Sequence, residues 1–489
     1  MSNHKQENMN DSDFEAMLAN SVSELPPDDI IAEVTPWKKS TNRVLIGLAL
    51  TTVTLNFWCL NYILPAIGTV LMLLGFRTLR KENKWFKACF GVSIAKAAYF
   101  FPFLIINTTI YQEQFQDSAV SAVLTAVSLI LPFIEFICLW RGFISVQKKA
   151  GLTPHAKEII ALIIWYAILC PLAFIQYEGF IIAGIMIIAY VFIIRNLYKL
   201  SKELDDAGYA IKATPIKITD SCFVISLAAV LIIGGVCGYL FGSSYHMKWQ
   251  PINSAEHNEV EDIKSNLTNL GFPEYVLNDL SAEDIMSCKG ALQVIVDTED
   301  RSFNDENSVL TEIANSDNQN IRLTGVGVKV PDDKEKWVIF HHFIWTESPK
   351  FYGTESIQLW PAYNHIEGWT SAGDVTGRIL YDKDGETYVA DYYSLDTVTY
   401  ESNDVFFGSQ NNTDVFAAFS MPRSGSNHRG YLAYSVYGAH GDYIMDSWFN
   451  YTHQQSPLQY PVMTAKQKRM TNMWNDAGAF KTVQNTLQF

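Results

Sequence analysis

The sequence predicts an α-helical transmembrane bundle of seven spans followed by an extracytoplasmic α+β domain, in which flanking helices pack on an antiparallel β-sandwich-like sheet. Three observations predict it. Hydrophobic runs crowd residues 44–242. Lys and Arg gather at alternate junctions between those runs. Beyond residue 242 the apolar runs shorten, alternation replaces continuity, and acidic residues accumulate.

Residues 1–43 are polar, and 11–33 are acidic with Pro26-Pro27 among them. Such a stretch has too little apolar surface to bury a core, so it reads as an acidic cytoplasmic tail. It does not run from a basic segment into a short apolar one, so the first membrane run is expected to act as an uncleaved signal. A span needs about 20 apolar residues. Residues 88–107, 119–140, 158–176, 180–194 and 222–242 each fit one. The run 44–76 is too long for one helix and short for two. Asn61 and Pro65 near its middle place a turn there, giving spans 44–60 and 61–76.

Charge supports that hairpin, because cytoplasmic loops are enriched in Lys and Arg. Lys38, Lys39 and Arg43 precede the run, and Arg77, Arg80, Lys81, Lys84 and Lys87 follow it. The next inner junctions carry Arg141, Lys148, Lys149 and Lys157, then Arg195, Lys199, Lys202, Lys212 and Lys217. The outer loops hold no Lys or Arg. The N-terminus is therefore expected in the cytoplasm and the C-terminal domain outside.

Residues 25–39 (LPPDDIIAEVTPWKK) and 60–87 (LNYILPAIGTVLMLLGFRTLRKENKWFK) resemble a group of uncharacterised multi-pass membrane proteins of Gram-positive anaerobic bacteria. The resemblance extends over most of the chain. It implies a bacterial plasma membrane and carries no activity.

Lys96 lies well inside the third span and Glu135 inside the fourth. Intramembrane charge is costly and marks function by default. A structural ion pair with the Lys stem reaching toward the interface is the plainer expectation, and an ion or proton path the sharper one. Pro65, Pro102, Pro132 and Pro171 are expected to kink four spans.

Residues 243–489 are numerous enough to bury a core of their own. They carry 33 Asp and Glu against 17 Lys and Arg, so nearly all of the chain's net charge of −15 lies there. Such a surface repels nucleic acid. Six of the seven cysteines lie in or beside spans, and Cys288 is the sole one beyond them, so the domain holds no internal disulfide.

The domain opens on helices. Val260, Ile263, Leu267 and Leu270 recur at helical spacing before Gly271, and a short helix follows Pro273. Ser281 with Asp284 predicts a capped helix whose face runs through Ile285, Cys288, Leu292 and Ile295. Strands are then predicted at 321–330 and 337–345, the second apolar on both faces. More follow at 378–381 and 387–395 around an Asp382-Lys383-Asp384-Gly385 turn, and at 405–408, 415–420 and 430–437. Thr464 with Gln467 predicts a closing helix with Met470, Met473, Trp474, Ala477, Phe480 and Val483 on its apolar face.

No catalytic motif is present: no HExxH, P-loop, dinucleotide-binding glycine pattern or GxSxG. His341 and His342, adjacent in a strand, point to opposite faces. His365 with Glu367, and His440 with Asp442, read as loop residues. Asp382, Asp384 and Glu386 cluster beside a glycine, and calcium is the cation such carboxylates suit, although no bidentate Glu follows at loop position twelve. Arg423, His428 and Arg429 form a basic loop suited to a carboxylate or phosphate. Trp360 and Trp369 stand in loops where rigid aromatic faces stack on sugars or peptides.

These features imply a surface protein, embedded in the lipid bilayer, whose outer domain binds or senses an extracellular peptide, glycan or protein ligand. A transporter or transporter subunit using Lys96 and Glu135 is the second reading, and an envelope enzyme with converging histidines the third.

Overall fold

In the computed structural model, the described residues are 34–52, 59–175, 179–212, 218–252, 259–303, 320–364, 368–404, 408–438, 444–457, 459–471 and 478–489. The acidic tail 1–33, the expected strand residues 405–407, and His365, Glu367, His440, Asp442, Met473, Trp474 and Ala477 lie outside them. The chain divides into two compact units: Met1–Ile106 with Glu113–Gly235, and Asn107–Gln112 with Val236–Phe489.

The first unit is helical. Its elements are β1 (Val34–Pro36), α1 (Trp37–Thr52), α2 (Leu60–Leu79), α3 (Lys84–Ile106), α4 (Gln112–Gln116), α5 (Ala119–Lys149), α6 (Lys157–Phe174), α7 (Phe180–Asp206), β2 (Ala210–Lys212) and α8 (Asp220–Gly242), with α4 and α8 running across the division between units. Among the described residues five helices, α2, α3, α5, α7 and α8, are long and apolar enough to cross a membrane. They leave Ile130, Ile188, Phe192, Ile225 and Ile233 more than half exposed, as a lipid-facing surface requires. Helices satisfy their own backbone groups, which is why apolar runs of this length adopt them in lipid.

Within the run 44–76, Asn61 and Pro65, expected in a turn, lie in α2, and Cys59, at a left-handed φ of 59°, precedes α2 and separates it from α1. The two helices pack with unusually close backbones. A Cβ on Gly68 would lie 2.7 Å from the Gly47 carbonyl oxygen, and one on Gly47 would lie 2.6 Å from that of Gly68. Small residues at helix crossings allow this approach. Trp37 anchors the start of α1. It is fully buried, edge-on to Phe143 at 5.6 Å and Tyr209 at 5.7 Å, and its Nε1 donates to the Ser201 carbonyl at 3.2 Å. The strands β1 and β2 pair antiparallel just outside it.

The second unit is a layered β structure. One sheet has the order β3 (Gln250–Pro251), β10 (Glu386–Ala390), β9 (Thr376–Lys383), β13 (Ser426–Gly438), β6 (Lys336–Trp345), β5 (Ile321–Val330), β4 (Gln293–Arg301), with β8 (Trp369–Ser371) also on β13. The other runs β11 (Ser394–Asp404), β12 (Gly408–Phe419), β7 (Glu355–Trp360), β14 (Asp446–Gln454), β15 (Phe480–Gln488). All pairings are antiparallel. Leu323, Phe343, Leu432, Ile357, Phe449 and Tyr451 meet between the sheets. On the opposite face of the larger sheet, Val326, Val328, Phe340 and Tyr431 pack under α9 (Glu261–Asn269), α10 (Glu274–Leu277) and α11 (Ala282–Met286). That double burial explains the unbroken apolar run of β6.

Two expectations are corrected here. The helix capped by Ser281 does not continue through Leu292 and Ile295. It ends at Met286, a turn carrying Gly290 at φ +77° follows, and the β-branched run around Ile295 pairs with β5 as β4. The closing helix is α12 (Ala465–Thr471), capped as expected: the Gln467 amide donates to Thr464 Oγ1 at 3.1 Å and the Thr464 amide to Gln467 Oε1 at 2.9 Å. Phe480 and Val483 belong instead to β15, where Thr482, Val483 and Thr486 suit a strand and the ladder to β14 supplies the partners. The helical spacing of Phe480 and Val483 is therefore not that of a helix. The helix α12 packs on β7, β12 and β14.

Replacing Gly68 by Leu drives a side chain into the Gly47 backbone and is expected to cost about 1–3 kcal/mol. The same change at Gly91, where a Cβ meets nothing within 4 Å, is expected to leave stability unchanged. Thermal unfolding of the detergent-solubilised chain measures both.

Candidate functional site

The best-defined polar constellation in the second unit forms around the β9–β10 hairpin. Its turn residues Asp384 (φ 53°) and Gly385 (φ 83°) are both left-handed, the geometry of a two-residue hairpin loop. That loop fixes the register, so Lys383 opposes Glu386 and Tyr381 opposes Tyr388. On the other side of β9, strand β13 slips register between Ser426 and Arg429, with Asn427 at φ 51°. The irregularity aims His428 and Arg429 toward β9. The expected cation group (Asp382, Asp384, Glu386) and two of the expected basic residues, His428 and Arg429, thus belong to one region.

Asp279, in the segment between α10 and α11, organises its buried side. Its carboxylate accepts from His342 Nε2 at 2.9 Å and from Arg429 Nε at 2.8 Å. Arg429 Nη1 then reaches Asp382 Oδ1 at 2.9 Å and the Asn427 carbonyl at 2.8 Å. Asp382 also accepts from Asn427 Nδ2 and Thr387 Oγ1, both at 2.9 Å. Arg378 Nε donates to the Asp279 carbonyl at 3.1 Å. Burial opposes the Arg429 charge, but Asp279 and Asp382 outweigh it and raise its pKa. Burial likewise opposes the Asp382 charge, and Asn427, Arg429 and Thr387 outweigh it and lower its pKa. The charges of Arg429 and Asp382 are therefore spent on each other and on Asp279. Among the described residues, no group of three His, Cys, Asp or Glu is placed to hold a metal ion.

Above this network lies a row of rings. Tyr388 stacks on Tyr381 at 5.3 Å, the His428 ring stacks on Tyr381 at 6.1 Å, and Trp249 meets Tyr381 edge-on at 4.8 Å. Gly425 lets the 421–426 loop close over Tyr381, where a Cβ would lie 2.5 Å from the ring. His428 Nε2 lies 3.0 Å from the Pro422 carbonyl and so carries the proton there. Burial, helped by Arg429 and opposed by that carbonyl, lowers the His428 pKa, leaving the ring neutral at pH 7. Tyr381 and His428 are buried, whereas Trp249 and Tyr388 are half-exposed at the sheet edge, with Asp384 and Glu386 exposed at the hairpin tip. Desolvation and then the charges of Glu386 and Asp384 raise the Tyr388 pKa, so both carboxylates act on this ring. The result is an aromatic shelf rimmed by acceptors.

Other expected site residues lie elsewhere. Trp360 sits across from Trp448, ring to ring at 6.0 Å, on the smaller sheet. Trp369, expected as a loop contact, begins β8, is buried in the core and donates from Nε1 to the Ile444 carbonyl at 3.2 Å. Arg423 is exposed. His341 and His342 do face opposite ways: His341 Nε2 lies 2.8 Å from Ser447 Oγ and its ring stacks on Phe449, whereas His342 faces Asp279. Sequence reasoning missed Asp279, Trp249 and the Tyr381–Tyr388 pair. The pair was readable, because a two-residue turn at Asp384-Gly385 dictates it; Asp279 had no local signal.

In the first unit, Lys96 and Glu135 form an ion pair at 2.9 Å. Ser93 Oγ donates to the other Glu135 oxygen at 3.1 Å, and the Glu135 side chain is 1 % exposed. Both carboxylate oxygens are engaged, as a compensated charge between apolar helices requires.

Removing one partner of that pair, by Lys96→Leu or Glu135→Leu, is expected to cost roughly 3–5 kcal/mol, and the double substitution to recover most of it. Thermal unfolding of the full chain measures the cycle. Burial lowers the His341 pKa to about 3. The folded state then resists a proton that the unfolded state takes up below about pH 6.5. Stability is expected to fall between pH 6.5 and 3, by up to roughly 1.4 kcal/mol per unit. His341→Gln is expected to reduce that slope in pH-dependent denaturation.

No protein-family model matches the chain, and none of the curated proteins matches it. A solved structure described as "Pore forming protein" is 8% identical, with 40% of this chain and 90% of that chain covered, at a TM-score of 0.18. Another, described as "AvmM Catalyzes Macrocyclization in Alchivemycin A Biosynthesis", is 8% identical over 34% of this chain and 88% of that one, at a TM-score of 0.19. Likenesses of this size carry no argument about the chain's activity.

Proposed function

We propose that the chain is a seven-span protein of a bacterial plasma membrane, with its N-terminus cytoplasmic, and that its C-terminal domain binds an extracellular ligand at the Trp249–Tyr388 edge. Support for seven spans comes from α1 and α6, which complete an alternation in which every basic junction falls on one side. The 18 residues of α6 extend about 27 Å, slightly less than a typical hydrocarbon core, whereas α1 carries Lys38, Lys39 and Arg43 in its first seven residues and contributes 44–52 as apolar helix. A short span is accommodated by local thinning of the bilayer.

The observation that carries the binding reading is the half-exposed Tyr388 ring, held flat against Tyr381 and flanked by Trp249, Asp384 and Glu386. A sugar presents a CH face to such rings and hydroxyl donors to such carboxylates, so a glycan is the ligand class this edge suits. The Arg429 network fixes the shelf before any ligand arrives, which limits the ordering cost of binding.

The test uses the full chain in nanodiscs with soluble peptidoglycan fragments and, separately, an oligolysine peptide. Glycan-containing fragments are expected to bind, and Tyr388→Ala or Trp249→Ala to weaken binding about tenfold, the order of one lost aromatic contact. Preference for oligolysine would assign the edge to a basic partner. Equal binding by wild type and both variants would remove the edge from the reading.

A further inference from the structure

The first unit contains a second built feature, a cleft of about 300 Å³ between α1 and α7. Lys38 and Asn42 line it from α1, and Arg195, Lys199, Lys202 and Asp205 from α7. Four cations face one carboxylate, and Asp205 lies 3.9 Å from Lys38. The three α7 cations are exposed, and among the described residues none forms an ion pair. The walls are held by Trp37, whose indole is bonded to Ser201, so the cleft does not depend on its own charged side chains for its shape.

The arrangement along α7 gives the cleft a chemistry. Ile185, Ile188, Phe192, Arg195, Lys199 and Lys202 follow one another at intervals of three and four residues, which places them on one face of the helix. The first three are about 60 % exposed and apolar. The last three are cationic. This face therefore passes from a surface suited to an acyl chain to one suited to a phosphate within a single turn. A soluble anion would use only the upper half.

We propose that the α1–α7 cleft holds the phosphate of an anionic phospholipid, with Arg195, Lys199 and Lys202 on the headgroup and its acyl chains against Ile188 and Phe192. Basic residues at a membrane surface attract anionic lipid, and Arg offers a fork matched to phosphate oxygens. The cleft adds to that general attraction a fixed geometry and an adjoining apolar track.

The test is native mass spectrometry of the full chain with phosphatidylglycerol, phosphatidylcholine and inorganic phosphate as the three probes. Phosphatidylglycerol is expected to be retained over phosphatidylcholine, and millimolar inorganic phosphate not to displace it. The combined Arg195→Gln, Lys199→Gln and Lys202→Gln variant is expected to lose at least about tenfold in phosphatidylglycerol affinity. A control carrying Lys81→Gln, Lys87→Gln and Lys148→Gln removes the same charge from the same end of the bundle and is expected to retain it. Should the triple variant fail to fold, Lys202→Gln alone tests the same direction. Equal loss in variant and control would show diffuse surface charge and overturn the proposal. Displacement by inorganic phosphate would assign the cleft to a soluble anion and overturn it equally.

Discussion

A single buried carboxylate, Asp279, ties the C-terminal unit together. From a segment between two short helices it reaches His342 on β6 and Arg429 on β13, while its own carbonyl takes Arg378 on β9. Three neighbouring strands and the helical layer are thereby joined at one point. A buried charge with these partners is compensated, and one that lost them would be expensive. The irregular start of β13 depends on this joint, and through Arg429 and Asp382 so does the hairpin that carries the aromatic edge. On the buried side of the edge, Asp279, Arg429 and Asp382 are each held by more than one hydrogen bond.

The helical unit follows a different constraint. Its long helices satisfy their own backbone groups, and several of its charges are matched in pairs. Arg43 meets Asp220 at 2.7 Å, Tyr209 donates to Glu82 at 2.7 Å, and Lys96 meets Glu135 at 2.9 Å. Close glycine contacts then set the distance between α1 and α2. In the α1–α7 cleft, Lys38 lies 3.9 Å from Asp205, while Arg195, Lys199 and Lys202 form no ion pair among the described residues.

Much of this was legible in the sequence where the signal is local. That 44–76 holds more than one helix was suggested by the basic residues at both ends, but Asn61 and Pro65, expected in the turn, lie inside α2. The Ser281 and Thr464 caps, the alternating β5 and the doubly buried β6 were read from residues within a few positions of one another. The errors arose where local spacing competed with distant pairing. Ile295 and Val483 fit a helical period, yet their β-branched neighbours found strand partners in β5 and β14. Gly290, in the turn between α11 and β4, was the signal passed over. Trp369 resembled a loop aromatic because nothing local reveals burial. The site was legible in halves: Asp382, Asp384 and Glu386 were noted, as were His428 and Arg429, whereas Arg423, noted with them, lies apart. Their meeting depends on β9 and β13 being neighbours, and on Asp279, some 150 residues from Arg429 in sequence.

The aromatic edge as the recognition surface is the central claim. Hydrogen–deuterium exchange of the full chain in nanodiscs, with and without soluble peptidoglycan fragments, tests it most directly. The account predicts added protection confined to the backbone of 249–252 and 384–390. Protection elsewhere in the C-terminal unit, or in the helical unit alone, would contradict it.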